Sequence, residues 1–188
     1  MSQDKKTEPK IPKPVTPRSL RNAALRYIDR FATSRDNLRK TLMRRVHTSN
    51  YHHDTDIEEG AVWIEELLDK LESSQFINDK AYAEMRAGTL HRKGTSVRVI
   101  SMKLKEKGLS EDNIHKALDA LRLETQSENL ERDAAIAHAK RRRMGPWRVE
   151  GKRDEMRDKD LARLARAGFS YDLAREIIEA SSVAELED

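Results

Sequence analysis

The chain has 188 residues, of which 37% are charged and 5% aromatic, and its formal net charge is +4. This composition argues against one compact core and favours helices with extensive exposed surface. The chain lacks cysteine, which excludes disulfides and thiol catalysis, and no stretch approaches the ~18 apolar residues of a membrane span. We therefore expect a cytoplasmic protein without a membrane segment.

The predicted elements begin after a proline-rich tail. Residues 1–17 hold four of the five prolines among Lys and Thr, and this composition predicts a disordered tail. From Ser19 onward the pattern is helical, with no period-2 stretch. A first repeat, residues 18–76, is predicted to contain helices over about 18–32, 34–46 and 55–74. An insert from His47 to Asp54 is predicted between its second and third helices.

Two further repeats are predicted, over residues 77–125 and 126–188. Their helices are expected over about 78–93, 96–107 and 110–123, and over about 127–144, 152–167 and 170–180, with a break at Gly145-Pro146. The segment Gly108-Leu109-Ser110 returns sixty residues later as Gly168-Phe169-Ser170. In each, Gly can end a helix in the left-handed conformation, Ser can cap the next helix, and the apolar residue can pack inward.

These patterns predict an all-α fold, an elongated tandem array of three diverged three-helix repeats preceded by a disordered N-terminal tail. Preceding helices repeat as well, because Ser34 and Leu38 correspond to Ser96 and Ile100. Each serine is predicted to be an N-cap.

Charge segregates by helix. Residues 18–46 hold nine Lys or Arg against two acids, whereas residues 54–72 hold eight acids and one Lys. If the repeats stack in register, the basic first and second helices form one face that suits phosphates or an acidic protein groove. The alternative is that charged helices merely need solvated faces. The candidate binding residues are Arg35, Arg39, Lys40, Arg86, Arg92, Lys93, Arg98, Lys140, Arg141, Arg142, Arg143, Arg148, Lys152 and Arg153.

Other kinds of site are disfavoured. A helix-turn-helix at Gly108 would place Glu111 and Asp112 against phosphates. The cluster of His47, His52, His53, Asp54 and Asp56 fits no zinc pattern. No catalytic motif or phosphate loop is present in the sequence, so we expect neither an enzyme nor a cofactor.

Trp147 lies beside the run from Lys140 to Arg143 and could stack on a base. The favoured interpretation is that it anchors the irregular link at Gly145 to the core of its own repeat. Trp63 sits at helical spacing with Ile64 and Leu67, which predicts a core position.

Several segments resemble the RecX regulatory proteins over about residues 18–180. The most specific are Phe76-Ile77-Asn78-Asp79 and Gly168-Phe169-Ser170-Tyr171-Asp172; the others are Ala24-Leu25 with Tyr27, Arg30, Ser34, Arg35, Leu38 and Leu42, then Ala81-Tyr82-Ala83, and Leu104 to Gly108 with Ile114 and Leu118. The insert at 47–54 and the charged linker between Gly145 and Asp160 depart from the family pattern.

The resemblance implies a monomeric, non-enzymatic array that binds the RecA recombinase and lies in the groove of the RecA-DNA filament. It also implies inhibition of the ATPase, strand-exchange and co-protease activities, with possible direct DNA contact. The alternative from another class is a nucleic-acid-binding helical-repeat protein that acts without a recombinase partner.

Overall fold

A computed structural model describes residues 11–149 and 151–187. The chain divides into two compact units, one extending to Asn78 and the other beginning at Asp79. The predicted disorder of residues 1–10 lies outside the described residues.

The first unit contains three helices, α1 (Pro17–Arg30), α2 (Arg35–His53) and α3 (Ile57–Ser73). Thr16 and Ser19 form a capping box at the start of α1, and Ser34 Oγ accepts the Asn37 backbone N–H at 3.2 Å. The predicted cap at Ser34 is therefore confirmed. Apolar residues of all three helices form the core together with Ile77, which follows α3; the helical members include Leu20, Ala24, Leu38, Leu42, Val46, Ile64 and Leu68. Trp63 packs against it, half-buried.

The predicted insert from His47 to Asp54 is wrong, because α2 continues to His53. Val46 and Ser49 are both buried on the inner face of α2, and this packing outweighs the polar run that suggested a loop. Asp54 is the C-cap of the helix; it takes the left-handed conformation and donates its backbone N–H to Asn50 O.

The described part of the predicted tail, residues 11–16, has no helix but contacts the end of α2. The Val15 backbone N–H donates to Ser49 Oγ at 2.9 Å, and His53 Nε2 donates to Pro12 O at 2.6 Å. Pro17 is the first residue of α1, where its fixed φ suits the first helical position.

The second unit contains seven α-helices among its described residues. They are α4 (Asp79–Arg92), α5 (Val97–Glu106), α6 (Glu111–Thr125), α7 (Leu130–Arg142), α8 (Arg153–Arg166), α9 (Tyr171–Glu179) and the short α10 (Ala184–Glu187). A 3₁₀ turn at Gly145–Trp147 breaks the path between α7 and α8, as predicted. The four-residue α10 was not predicted, because it is too short to show a helical period; Leu186 ties it to the core beside α9.

This unit has two hydrophobic cores. One is formed mainly by α4, α5 and α6, and the other by α7, α8 and α9 with the 3₁₀ turn. Trp147 packs against the second core, which confirms its predicted structural role.

Both Gly-apolar-Ser junctions have the predicted geometry. Gly108 and Gly168 have φ of 76° and 98°, and the following Leu109 and Phe169 are buried. Ser110 accepts the Asn113 backbone N–H, and Ser170 accepts that of Leu173. The junctions thus join consecutive helices of one repeat.

Regular structure in the described residues is entirely helical, and three sets of three helices surround three cores. The predicted all-α fold of three-helix repeats is therefore confirmed. The boundaries after residues 17, 76 and 125 stay a prediction. Helices long and apolar enough to cross a membrane are absent from the described part of the chain.

Candidate nucleic-acid and partner interface

Two candidate arginines of α2 contact the acidic helix α3 of their own unit. Arg35 donates to Glu65 at 2.9 Å, Asp69 at 2.7 Å and Glu72 at 2.9 Å, and Arg39 shares Glu65 at 2.5 Å. Partial burial opposes the charge of Arg35, but the hydrogen bonds that its guanidinium donates to Asp69 and Glu65 outweigh this effect and raise its pKa. Lys40 pairs with Asp36 at 2.6 Å. These candidates are engaged within the fold.

In the second unit, side-chain hydrogen bonds join the two sets of helices. His91 Nε2 donates to Leu130 O at 2.8 Å, and the Val97 backbone N–H donates to Glu131 at 2.6 Å. His138 Nδ1 donates to Gly94 O at 2.9 Å, and Ser96 Oγ donates to Ala167 O at 3.2 Å. We call this region, residues 91–97 with their partners on α7 and at Ala167, the repeat joint.

Glycine is required on both sides of the repeat joint. A Cβ on Gly94, whose φ is +70°, would lie 2.4 Å from His138 N and 2.6 Å from its Cα. A Cβ on Gly168 would lie 2.7 Å from Ser96 Oγ. At Gly94 the obstacle is the backbone of α7, and at Gly168 it is the side chain of Ser96, so a side chain at either position would disturb the contacts of the joint.

Exposed cations flank the repeat joint. Arg92 and Lys93 precede Gly94, and Arg98 follows the contact made by Val97. Arg98 Nη2 would lie 3.6 Å from a Cβ on Gly168, so Arg98 reaches the turn between α8 and α9. Within residues 11–149 and 151–187 these three side chains, and the half-buried Arg86 on α4, have no carboxylate partner.

The end of α7 carries the densest basic run. Lys140, Arg141, Arg142 and Arg143 are all exposed, and Arg143 takes the left-handed conformation at the C-cap. Cations are favoured at a helix C-terminus because the last backbone carbonyls lack partners within the helix and give that end a partial negative charge. No carboxylate in the described part of the chain pairs with the arginines of this run. They are available to an external anion.

Two other candidates hold the fold together instead. Arg148 forms a bidentate pair with Asp160, at 2.9 and 2.6 Å, and Asp160 is only 1% exposed. Arg153 donates to Ile178 O and Ala180 O at the end of α9. Lys152, at the N-cap of α8, is exposed.

Three basic residues that the sequence analysis did not single out complete a pocket between α7 and α8. This α7–α8 pocket has a volume of about 490 Å³ and is lined by His138, Arg142, Met144, Arg163, Arg166 and Ala167. Met144 is buried and forms an apolar wall. Arg163 and Arg166 lie three positions apart on α8, on one face, which the sequence could have shown if the helix period had been applied to charge as well as to apolar residues.

The pocket is strongly cationic. None of its lining residues is acidic, and Asp160, which accepts from the lining residue Arg163, also accepts from Arg148. Partial burial lowers the pKa of His138, and the charges of Arg141 and Arg142 add to this effect against the hydrogen bond to Gly94. The arrangement favours binding of an oxyanion, because guanidinium groups match phosphate oxygens in charge and geometry.

Comparison with known proteins identifies the family of the chain. A family model for the second three-helix domain of RecX matches residues 78–118. The Regulatory protein RecX of Myxococcus xanthus is 41% identical over 181 residues, which is 95% of each chain. The chain belongs to the RecX family. The Regulatory protein RecX of Corynebacterium efficiens is 33% identical over 169 residues, covering 85% of this chain and 72% of that one.

A solved RecX structure supports the fold. The crystal structure of RecX from Lactobacillus salivarius superposes with a TM-score of 0.57, at 24% identity, over 87% of this chain and 94% of that one. The residues matched by the RecX family model span α4, α5 and the first half of α6, on one side of the repeat joint. RecX relatives are named regulatory proteins, so this chain belongs to a family of regulators rather than of enzymes.

Proposed function

We propose that the chain regulates the RecA recombinase by binding RecA and its filament on DNA as a monomer. In this proposal it lowers the ATPase, strand-exchange and co-protease activities of the filament, and so regulates DNA repair and recombination. It acts by binding and catalyses no reaction of its own.

The observation that carries the proposal is membership of the RecX family across nearly the whole chain, at 41% identity over 95% of its length. The exposed cations around the repeat joint support it. A recombinase filament on DNA presents both phosphates and acidic protein surface, and an unpaired basic surface is complementary to each of them.

A second candidate function is direct nucleic-acid binding without a recombinase partner. It is favoured by the arginines at the end of α7, which have no carboxylate partner in the described residues and suit phosphates regardless of any protein. The two functions differ in what the inhibition depends on. In the first it depends on binding to the recombinase, and in the second it depends on how much DNA the chain covers.

Titration of the chain into RecA on single-stranded DNA, followed by ATP hydrolysis, tests the proposal. The affinity for the same bare DNA is measured in parallel, at the same salt concentration, because phosphate contacts depend steeply on salt. Inhibition far below the concentration that coats bare DNA supports the recombinase partner. Inhibition that only follows DNA coverage contradicts it and supports the second candidate.

A further inference from the structure

The α7–α8 pocket brings together groups from two helices that the repeat joint holds in place. Arg142 lies at the end of α7, and Arg163 and Arg166 lie in the last turns of α8. His138 lines the same pocket, one helical turn before Arg142. The four side chains therefore converge on one volume.

Each arginine retains donors for a ligand. Arg166 uses Nε to donate to Ala162 O at 3.1 Å, and Arg163 uses Nη1 to donate to Asp160 at 3.1 Å. A guanidinium has five N–H donors, so these bonds orient each group without using up its donors. Arg142 has no ion pair among the described residues.

His138 adds a donor of a different kind. Its Nδ1 donates to Gly94 O, so Nε2 is the ring atom left for the pocket. The Phe169 ring makes a T-shaped contact with the imidazole, with centroids 5.8 Å apart. The imidazole is thus fixed in one orientation, and protonation at Nε2 would give the pocket a further N–H donor.

We propose that the α7–α8 pocket binds one phosphate group through the guanidinium groups of Arg142, Arg163 and Arg166, with His138 donating to the phosphate from Nε2. The inference deepens the proposed function, on which it rests for the biological source of the phosphate. That source is either the backbone of a nucleic acid or a free phosphate, since both offer the same oxygens. The chemistry of the pocket is separable from the recombinase and is tested without it.

Phosphate binding should also take up a proton. The cations that face His138 are Arg141 and Arg142 on α7 and Arg163 and Arg166 on α8, and they oppose a charged imidazole. A bound phosphate offsets these charges, so the pKa of His138 should rise when the pocket fills. An ion that only screens the surface charges should not raise the pKa of this one imidazole selectively.

The experiment follows the imidazole signals of the full chain by NMR during addition of inorganic phosphate, with sodium chloride at matched ionic strength as the control. The His138 signals are assigned with the His138→Gln variant. We expect phosphate, but not chloride, to shift them saturably and to raise the pKa of His138. Arg142→Gln with Arg166→Gln should weaken phosphate binding at least ten-fold, whereas Arg26→Gln with Arg45→Gln, two exposed arginines of the first unit, should not.

An oligo-dT of twelve nucleotides distinguishes a backbone phosphate from a free phosphate as the ligand. If the ligand is a backbone phosphate, oligo-dT shifts the same signals and binds at least ten-fold more weakly to the pocket variant. If the ligand is a free phosphate, oligo-dT leaves these signals in place while inorganic phosphate moves them. Either result supports the pocket. The proposal is overturned if neither probe moves the His138 signals beyond chloride, or if the pocket variant responds as the unmodified chain does.

Discussion

Arg35 and Arg39 in the first half of α2 and the arginines at the end of α7 look alike in the sequence, yet only the first pair meets carboxylates in the described structure. In the first unit Arg35 and Arg39 meet the acidic stripe Glu65, Asp69 and Glu72 on α3. In the second unit the acids of α9 pair with Arg132 and Arg157, away from the α7–α8 pocket. The difference teaches that the number of cations in a helix sequence does not determine how many of them remain available to a partner. What matters is where the acidic helix of the same repeat turns its carboxylates.

The largest expected effect concerns the joint that positions the cations of the second unit. Gly94→Ala should cost about 4 kcal/mol, because the new Cβ would overlap the backbone of α7 in addition to the strained φ. Gly151→Ala is the matched control: its φ is +83°, but nothing lies within 4 Å, so only about 1 kcal/mol is expected. Urea unfolding followed by Trp147 fluorescence in a Trp63→Phe background reports this unit alone. Equal costs for both variants would contradict a tight joint.

The next effect concerns a pair that is structural although its arginine was a candidate for binding. Asp160→Asn should destabilise the second unit by about 3 kcal/mol, because Arg148, whose side chain is 16% exposed, loses its bidentate acceptor. The control Asp158→Asn, at an exposed position, should cost less than about 0.5 kcal/mol. The same fluorescence measurement applies. A loss below about 1 kcal/mol for Asp160→Asn would mean that Arg148 is not held by this pair.

A smaller effect separates the two regions directly. Arg35→Ala should cost about 1 kcal/mol in the first unit, because Arg35 is 25% exposed and has three carboxylate partners. Arg142→Ala should change the second unit by less than about 0.5 kcal/mol, because it has no ion pair in residues 11–149 and 151–187. Trp63 in a Trp147→Phe background reports the first unit, and Trp147 reports the second. The comparison fails if Arg142→Ala is the more destabilising change.

The smallest effect is a pH dependence in the second unit. Burial lowers the folded-state pKa of His138, so the unfolded chain binds a proton more readily than the folded one. The free energy of unfolding should therefore decrease as the pH falls below the ordinary pKa of 6.5 towards the lowered value, and His138→Gln should remove this part of the decrease. Urea midpoints at several pH values, read from Trp147, measure it. The same pH slope in the variant would show that His138 does not contribute.

The sequence was most informative where a local rule decides the structure. Ser34, Ser96, Ser110 and Ser170 cap helices as predicted, because an N-cap needs only residues three positions away. The extension of α2 to His53 was missed, because it depends on Val46 and Ser49 packing against residues distant in the chain. Local pattern cannot show such contacts.

The candidate site divided in the same way. The basic run from Lys140 to Arg143 was visible as composition, and the structure leaves it exposed. The roles of Arg35 and Arg148 depend on carboxylates 37 and 12 residues away, and His138 enters the site through a contact with Gly94, 44 residues away. These pairings follow from how the helices pack, which sequence spacing does not give.

The comparison of the two units predicts that partner binding depends more on the exposed cations of the second unit than on those of the first. Its most direct test compares two triple charge reversals in the inhibition of RecA ATPase on single-stranded DNA. One changes Arg141, Arg142 and Arg143 to Glu, and the other changes Arg26, Arg44 and Arg45, three exposed arginines of the first unit, to Glu. We predict that the first raises the concentration for half-inhibition at least ten-fold and the second by less than about three-fold. Equal losses, or a larger loss from the first-unit variant, would contradict the claim.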